Sequence, residues 1–227
     1  QVGVSIFDYW LRTYYGVDPT DGAPLFVAQN TAANASRRLI TNKNGGLDTL
    51  TTDISNGKFE YQGSTIPDFY GSFTQSVTYK QFTLSALFMF QVGGLTYDQN
   101  YASLMAVGTS YGAAYHTDIL NRWQKPGDVT NVPKLNTSTL ATQDGTSSRF
   151  LFDASYFNIK NISLGYSLST KDAQKLHLSG LKFTATIDNA WLFTAKSGMD
   201  PQRSFAGTSD ATYPIYRIIS AGVNVKL

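Results

Sequence analysis

The chain has 227 residues, only two histidines, His116 and His177, and no cysteine. Without cysteine there is no disulfide framework and no thiolate metal site. The histidines fall in an expected loop and an expected turn, and neither has metal-ligand spacing to the other. Lys182 and Asp188 lie six residues apart in an alternating stretch, so they share one face of a strand. They suit a polar wall better than an acid–base pair. Gly93-Gly94 precedes no basic residue and opens no helix, so it is no phosphate cradle. This pattern names no catalytic group, no metal and no cofactor, and points away from an enzyme. The residues that could do chemistry are aromatic. Tyr97, Tyr101, Tyr111, Tyr115 and Trp123 crowd one irregular stretch, 93–153. Such rings stack on sugars and fill pockets for peptide side chains. They could equally build the small core of the loop itself, or an interface with another protein.

The elements around that stretch alternate. The last, from Tyr216 to Leu227, places Ile219, Ala221, Val223, Val225 and Leu227 on one face and Ser220, Gly222, Asn224 and Lys226 on the other. Period-two alternation over about 12 residues is a strand with one apolar and one polar face. It matches the ~9–11 residues of a tilted strand that crosses a bilayer. From Gly71 to Tyr79 the apolar residues Phe73, Val77 and Tyr79 are odd; from Phe82 to Val92 they are even. A two-residue turn at Lys80-Gln81 puts both sets on one face. Between Ser155 and Leu168 the parity changes, from Phe157 and Ile159 to Ile162, Leu164, Tyr166 and Leu168. A bulge near Lys160-Asn161 reconciles them. Leu181 to Phe193 alternates cleanly except at Asn189. A crowd of aromatics from Val4 to Tyr15 supplies a further strand.

Six strands result, with long connections at 16–67, 93–153 and 195–213 and short ones at 80–81 and 169–180. In an up-and-down antiparallel order the long ones share one end and the short ones the other. That is the asymmetry of outer-membrane barrels, with short periplasmic turns and long extracellular loops. Composition agrees. Charged residues are 15% against about 25% in soluble domains, and aromatics reach 14%. Mean hydropathy is only −0.19, because the apolar residues are dispersed rather than run together. No run of about 18 apolar residues offers a membrane helix. A net charge of +2 without a basic stripe gives no case for nucleic acid. Tyr79, Phe82, Tyr166, Trp191 and Phe193 sit near strand ends, where an aromatic girdle belongs. The smallest such barrels have about eight strands, so six are expected to be part of a larger one. The opening Gln1-Val2-Gly3-Val4, with no signal peptide, reads as the middle of a pattern.

Specific residues resemble a family. The run Ser155-Tyr156-Phe157-Asn158-Ile159-Lys160-Asn161-Ile162-Ser163-Leu164-Gly165-Tyr166 resembles the SYLRLKNITLGY signature near the end of SusC/RagA-type TonB-dependent transporters. Asp188-Asn189-Ala190-Trp191-Leu192-Phe193-Thr194 resembles the xNLxxFT strand that follows. Gly198-Met199-Asp200-Pro201-Gln202 resembles GxDPE, with Gln202 in place of Glu, and Tyr213-Pro214 matches a YP before the last strand. Upstream, Tyr15-Gly16-Val17-Asp18-Pro19 resembles YxGVDPxTG, and Asn121-Arg122-Trp123 resembles xRW in a large loop. The ordered set covers most of the chain.

The resemblance implies an all-β fold: about six C-terminal strands of an antiparallel transmembrane barrel of about 22 strands, with long extracellular loops. A plug, a TonB-contacting segment and the earlier strands would lie outside this chain. The last strand would close the barrel on its first; the Leu227 terminus, where many outer-membrane proteins have Phe, is a small departure. The location implied is the bacterial outer membrane, and the implied role is import of oligosaccharides or oligopeptides together with a SusD-like surface lipoprotein. Tyr97, Tyr101, Tyr111, Tyr115 and Trp123 are then candidates to touch substrate or lid. Lys182, Asp188, Asn224 and Lys226 are candidates to face lumen or plug, with Val223, Val225 and Leu227 toward lipid. The rival readings are a soluble carbohydrate-binding β-sandwich and an adhesin or autotransporter β-domain.

Overall fold

A computed structural model describes residues 3–29, 37–41, 44, 46–106, 112, 114–135, 146–203, 206–209, 213 and 215–227. Six strands precede the central hairpin: β1 (Asp8–Arg12), β2 (Tyr14–Val17), β3 (Pro24–Val27), β4 (Arg37–Thr41), β5 (Leu47–Thr51) and β6 (Phe59–Ser64). The hairpin is β7 (Phe69–Tyr79) and β8 (Phe82–Val92). Then come β9 (Leu95–Asp98), α1 (Gln99–Leu104), β10 (Leu151–Asp153), β11 (Tyr156–Ser167), α2 (Thr170–Lys175), β12 (Gly180–Thr194), β13 (Thr208–Ser209) and β14 (Ile218–Lys226). Two compact units form. One comprises Gln1–Thr65, Thr96–Phe152 and Phe205–Ala211; the other comprises Ile66–Leu95, Asp153–Ser204 and Thr212–Leu227.

The second unit is a five-stranded sheet in the order β14-β12-β11-β8-β7, antiparallel throughout. Chain neighbours are sheet neighbours, so the short connections share one end and the long ones the other, as expected from the sequence. Tyr79 pairs with Phe82 across Lys80-Gln81, the expected register. Lys80 takes a left-handed φ of 53°, the twist a two-residue hairpin demands. The connection after β11, expected to be merely polar, winds into α2. Ser169 accepts a bond from the Asp172 amide, and Lys175 closes on Asp172 at 2.8 Å.

The bulge falls where the parity change demands it. On β8, Phe88 and Leu87 face Ile159 and Asn161, so Lys160 is the extra residue. On β12, Trp191 and Asp188 face the same pair, so Asn189 and Ala190 stand against Lys160. Lys160 Nζ donates to Asn189 Oδ1 at 2.7 Å, and Asn161 Nδ2 donates to Asp188 Oδ1 at 2.7 Å. Asn189 adopts a φ of 51°, which asparagine tolerates better than most residues. The bulge brings Phe157 and Ile159 onto the same face as Ile162, Leu164 and Tyr166.

That face is apolar across all five strands and open. Phe73, Phe82, Trp191, Phe193 and Ile219 are each at least half exposed. A row of rings crosses four strands: Phe73 stacks on Phe88 at 4.7 Å, Phe88 lies 5.8 Å from Phe157, and Phe157 lies 6.3 Å from Phe193. A second row, nearer the short connections, joins Phe82 to Tyr166 at 4.8 Å. Between the rows lie aliphatic residues, including Val77, Leu84, Ala86, Ile162, Leu164, Ala185 and Ile187. The other face carries Ser72, Thr74, Ser76, Thr78, Ser163, Thr184 and Thr186.

The first unit departs from expectation. The stretch from Val4 to Tyr15 does not join the five-stranded sheet. It breaks at Thr13 into β1, which pairs with β6, and β2, which pairs with β3. The order β2-β3-β5-β4 builds a small sheet out of a region expected to be irregular. These strands have four or five residues, too short to show a periodic signal against a Thr- and Asn-rich background. A core of Tyr97, Met105, Val132 and Phe150 lies under Tyr9, Leu11, Tyr101, Ile119, Leu151 and Phe152. Among the described residues of the loosely helical stretch 99–123, six form an α-helix, and Thr117–Asn121 adds a 3₁₀ turn.

Candidate functional site

The loop aromatics divide in two. Tyr97 is buried in the core, with its ring 6.2 Å from Phe150 and edge-on. Tyr101 packs against the same cluster, 6.0 Å from Phe150 and 5.9 Å from Phe152. Its hydroxyl donates to Asp118 Oδ2 at 2.7 Å; burial, then Asp118, push the phenol up to about 12. These two rings are part of the loop's own packing. Tyr115 stays exposed beside His116, whose ring meets Tyr101 edge-on at 4.9 Å. Tyr111 lies outside the described residues.

Trp123 serves a contact that the sequence did not suggest. Its indole N–H donates to the Pro19 carbonyl at 3.1 Å, and its ring covers Gly22. Gly22 has a φ of +72°, and a Cβ there would run into the Trp123 ring. Gly127 N and Lys134 N donate to the carbonyls of Pro19 and Gly22. The turn itself is tied by buried Asp18, which accepts from Thr20 N at 2.9 Å and faces Arg38 at 3.6 Å. The motifs around Asp18-Pro19 and Arg122-Trp123, about 100 residues apart and so joined by no local pattern, thus form one clasp. Gly22→Ala is expected to cost about 1–2 kcal/mol from backbone conformation alone, with the Trp123 clash added. Hydrogen exchange on the full-length protein should then rise at both 16–23 and 121–134. A rise at one segment only would break the clasp reading.

An exposed aromatic group also lies where sequence reasoning named none. On β1 and β6, Trp10 sits 4.5 Å from Tyr61 and stacks over Phe59 at 6.1 Å, while the Arg12 guanidinium covers Phe59 at 4.3 Å. Opposite them, Tyr9 and Leu11 face the core. The alternation of Trp10 and Arg12 against Tyr9 and Leu11 was the available signal.

The polar face of the five-stranded sheet carries the other four candidates, with Lys182, Asn224 and Lys226 toward the short connections and Asp188 toward the far end of β12. Lys182 pairs with Asn224, Gly180 with Lys226, and Asp188 with Ile218. Lys182 lies across Gly165, where an added Cβ would come within 3.3 Å of its Cε. Next to this face, Asn158 is buried and donates to Gln202 Oε1 at 2.7 Å; Gln202 Nε2 in turn donates to Asp200 Oδ1 at 3.0 Å. Gln202 thus fills the place of the motif's glutamate by accepting from Asn158 while donating to Asp200. Among the described residues no group of three or more His, Cys, Asp or Glu side chains could hold a metal ion.

No family model matches the chain. Two curated relatives do, both from Formosa agariphila. TonB-dependent receptor P3 is 29% identical over 186 residues, covering 77% of this chain and 18% of the relative. TonB-dependent receptor P39 is 30% identical over 172 residues, covering 72% and 16%. The chain therefore spans less than a fifth of the length of either. Among solved structures, the RagAB peptide importer in its closed-closed state aligns over 96% of this chain and 22% of the other, with a TM-score of 0.76 and 20% identity. The RagAB peptide transporter aligns equally far, with a TM-score of 0.75 and 21% identity. TonB-dependent receptors reside in the bacterial outer membrane and are transporters, not enzymes. By sequence the chain is a homologue of part of a TonB-dependent receptor, and by fold it matches part of RagA.

Proposed function

We propose that the chain forms wall and outer loops of an energy-coupled importer that takes up oligosaccharides or oligopeptides with a SusD-like lipoprotein as its lid. The observation that carries this reading is the sheet whose apolar face is open and whose polar face is not a core. A soluble sheet hides its apolar face, whereas a barrel wall turns it to lipid. Val223, Val225 and Leu227 then face lipid, and Lys182, Asp188, Asn224 and Lys226 face lumen or plug. The last strand pairs with the first strand of the complete barrel. Tyr115 belongs to the surface that meets substrate or lid, and Tyr97 and Tyr101 shape it from beneath. The likeness to RagAB supports a lid partner and a peptide cargo, and the loop aromatics suit a glycan as well. TonB would act through a plug outside this chain.

The test is uptake in cells carrying or lacking the full-length gene, with fluorescent oligopeptides and oligosaccharides offered separately. Uptake of one class should depend on the gene and stop when the proton-motive force is dissipated. Recovery of the protein in the soluble fraction, or uptake indifferent to both, would overturn the proposal.

A further inference from the structure

We propose that Lys160 and Arg217 grip the phosphate of an outer-leaflet lipid headgroup, at the long-connection rim of the apolar sheet face. This rests on that face being turned to lipid. Arg217 follows the parity of Ile219 and Ala221, so it continues their apolar row just beyond the last paired rung, Asp188 with Ile218. It is exposed, and its guanidinium covers the half-exposed ring of Trp191 at 4.6 Å. Stacking engages the flat of the guanidinium and leaves its N–H edge to donate outward. Asn189 holds the place together. Its Nδ2 donates to the Tyr216 carbonyl at 3.0 Å, where the strand pairing has ended, and its Oδ1 accepts from Lys160 Nζ at 2.7 Å. By position Asn189 belongs to the row of Ile187 and Trp191. One asparagine thus ties the lysine ammonium to the backbone that carries Arg217.

Two cations beside an apolar row call for an anion. Among the described residues, no ion pair reaches Lys160 or Arg217. Asp188, next in the strand, lies on the polar face and holds Asn161, and Asp200 holds Gln202. Height then selects the kind of anion. On β12, Trp191 lies eight residues from Phe183, which pairs with Tyr166 in the row of rings at the short connections. That is about 26 Å of strand, or about 20 Å of height at a tilt of about 40°. The apolar band of such barrels is about 25 Å tall, so the cations stand near its extracellular rim. Long basic side chains there keep their stems on apolar surface and lift their charges to the headgroups. Nearer the short connections, Ile187 pairs with Ile219 and Ala185 with Ala221, an aliphatic floor that is shallow at the alanines. A phosphate with acyl chains beneath it matches both parts, whereas free phosphate would use only the cations. Arginine takes a phosphate through two parallel N–H donors, and lysine adds a point charge.

The experiment places the full-length protein in neutral phosphatidylcholine nanodiscs that carry a photoreactive lipid A, either phosphorylated or stripped of phosphate. Labelled peptides are read by mass spectrometry. The phosphorylated form should label 157–162 and 215–221 several-fold more than the stripped form, and excess inorganic phosphate should leave that ratio intact. Arg217→Gln, alone and with Lys160→Gln, should bring the ratio toward one while heat-modifiable migration persists. Arg217 lies outside the bulge, so the single variant decides even where Lys160→Gln disturbs folding. Equal labelling by the two lipids, or a ratio unchanged in the variants, sinks the phosphate site and leaves the lipid-facing wall standing. A ratio erased by inorganic phosphate assigns the cations to a soluble anion and overturns the proposal. If neither lipid labels the apolar face, at Phe73 and Phe88 included, the barrel reading falls with it.

Discussion

Arginine at Leu84 should keep the full-length protein out of the membrane, whereas arginine at Ser85 should not. Leu84 sits on the apolar face between the two rows of rings, paired with Val77 on one side and Leu164 on the other, and is about half exposed. Ser85 is the next residue, paired with Ser76 and Ser163 on the polar face. The two substitutions add the same side chain to the same strand at nearly the same height. They differ only in the medium the guanidinium meets. On a lipid-facing wall that costs up to about 2–4 kcal/mol, the more the nearer the bilayer midplane, while a lumen-facing position keeps the group hydrated. Heat-modifiable migration on gels, measured for both variants in outer-membrane fractions, reads the folded share directly. Leu84→Arg should lose most of it, and Ser85→Arg should stay near the unsubstituted protein. Equal losses would mean that the two faces meet the same medium, which a barrel wall between lipid and lumen does not allow.

The same property explains what could be read from the sequence. Each strand of the five-stranded sheet has one apolar and one polar face, so apolar residues recur at every second position for about ten residues. Even the bulge at Lys160 shows as a change of parity, because Phe157 and Ile159 could not otherwise share a face with Ile162 and Leu164. The first unit has no such constraint. Its strands are short, and its core is assembled from residues as distant as Leu11, Met105 and Phe150, so no local period marks it. That is why Val4 to Tyr15 reads as barrel wall. Its rings do alternate, but between a loop core and an exposed aromatic patch. It is also why Trp123 carries no sign of its clasp on Gly22: a contact across about 100 residues is written in no spacing. For the candidate site, the polar-face residues are legible because parity alone assigns them. The division of the loop aromatics into core and surface depends on packing, which sequence does not show.

Phe150→Ala should separate the loops from the wall. Phe150 is 2% exposed and touches the edges of Tyr97 and Tyr101. Truncating such a ring costs about 3–5 kcal/mol, part transfer and part cavity. Met105→Leu, at a site with no exposure, nearly conserves volume and should cost under about 1.5 kcal/mol. The loss falls on a core belonging to the first unit, so the five-stranded sheet and its membrane insertion should survive. Limited proteolysis of the full-length protein should cut within 96–152 in Phe150→Ala at protease levels that spare Met105→Leu, while heat-modifiability stays unchanged in both. Tyr115 is tied to that core through its neighbour: His116 N donates to Leu104 O at 3.0 Å, and the His116 ring rests on Tyr101. If the exposed ring of Tyr115 captures cargo or seats a lid, uptake should fall in Phe150→Ala at normal membrane abundance. Full uptake despite a cleavable loop would show that capture does not depend on this part of the chain, and would move the candidate surface to the rings of Trp10 and Tyr61.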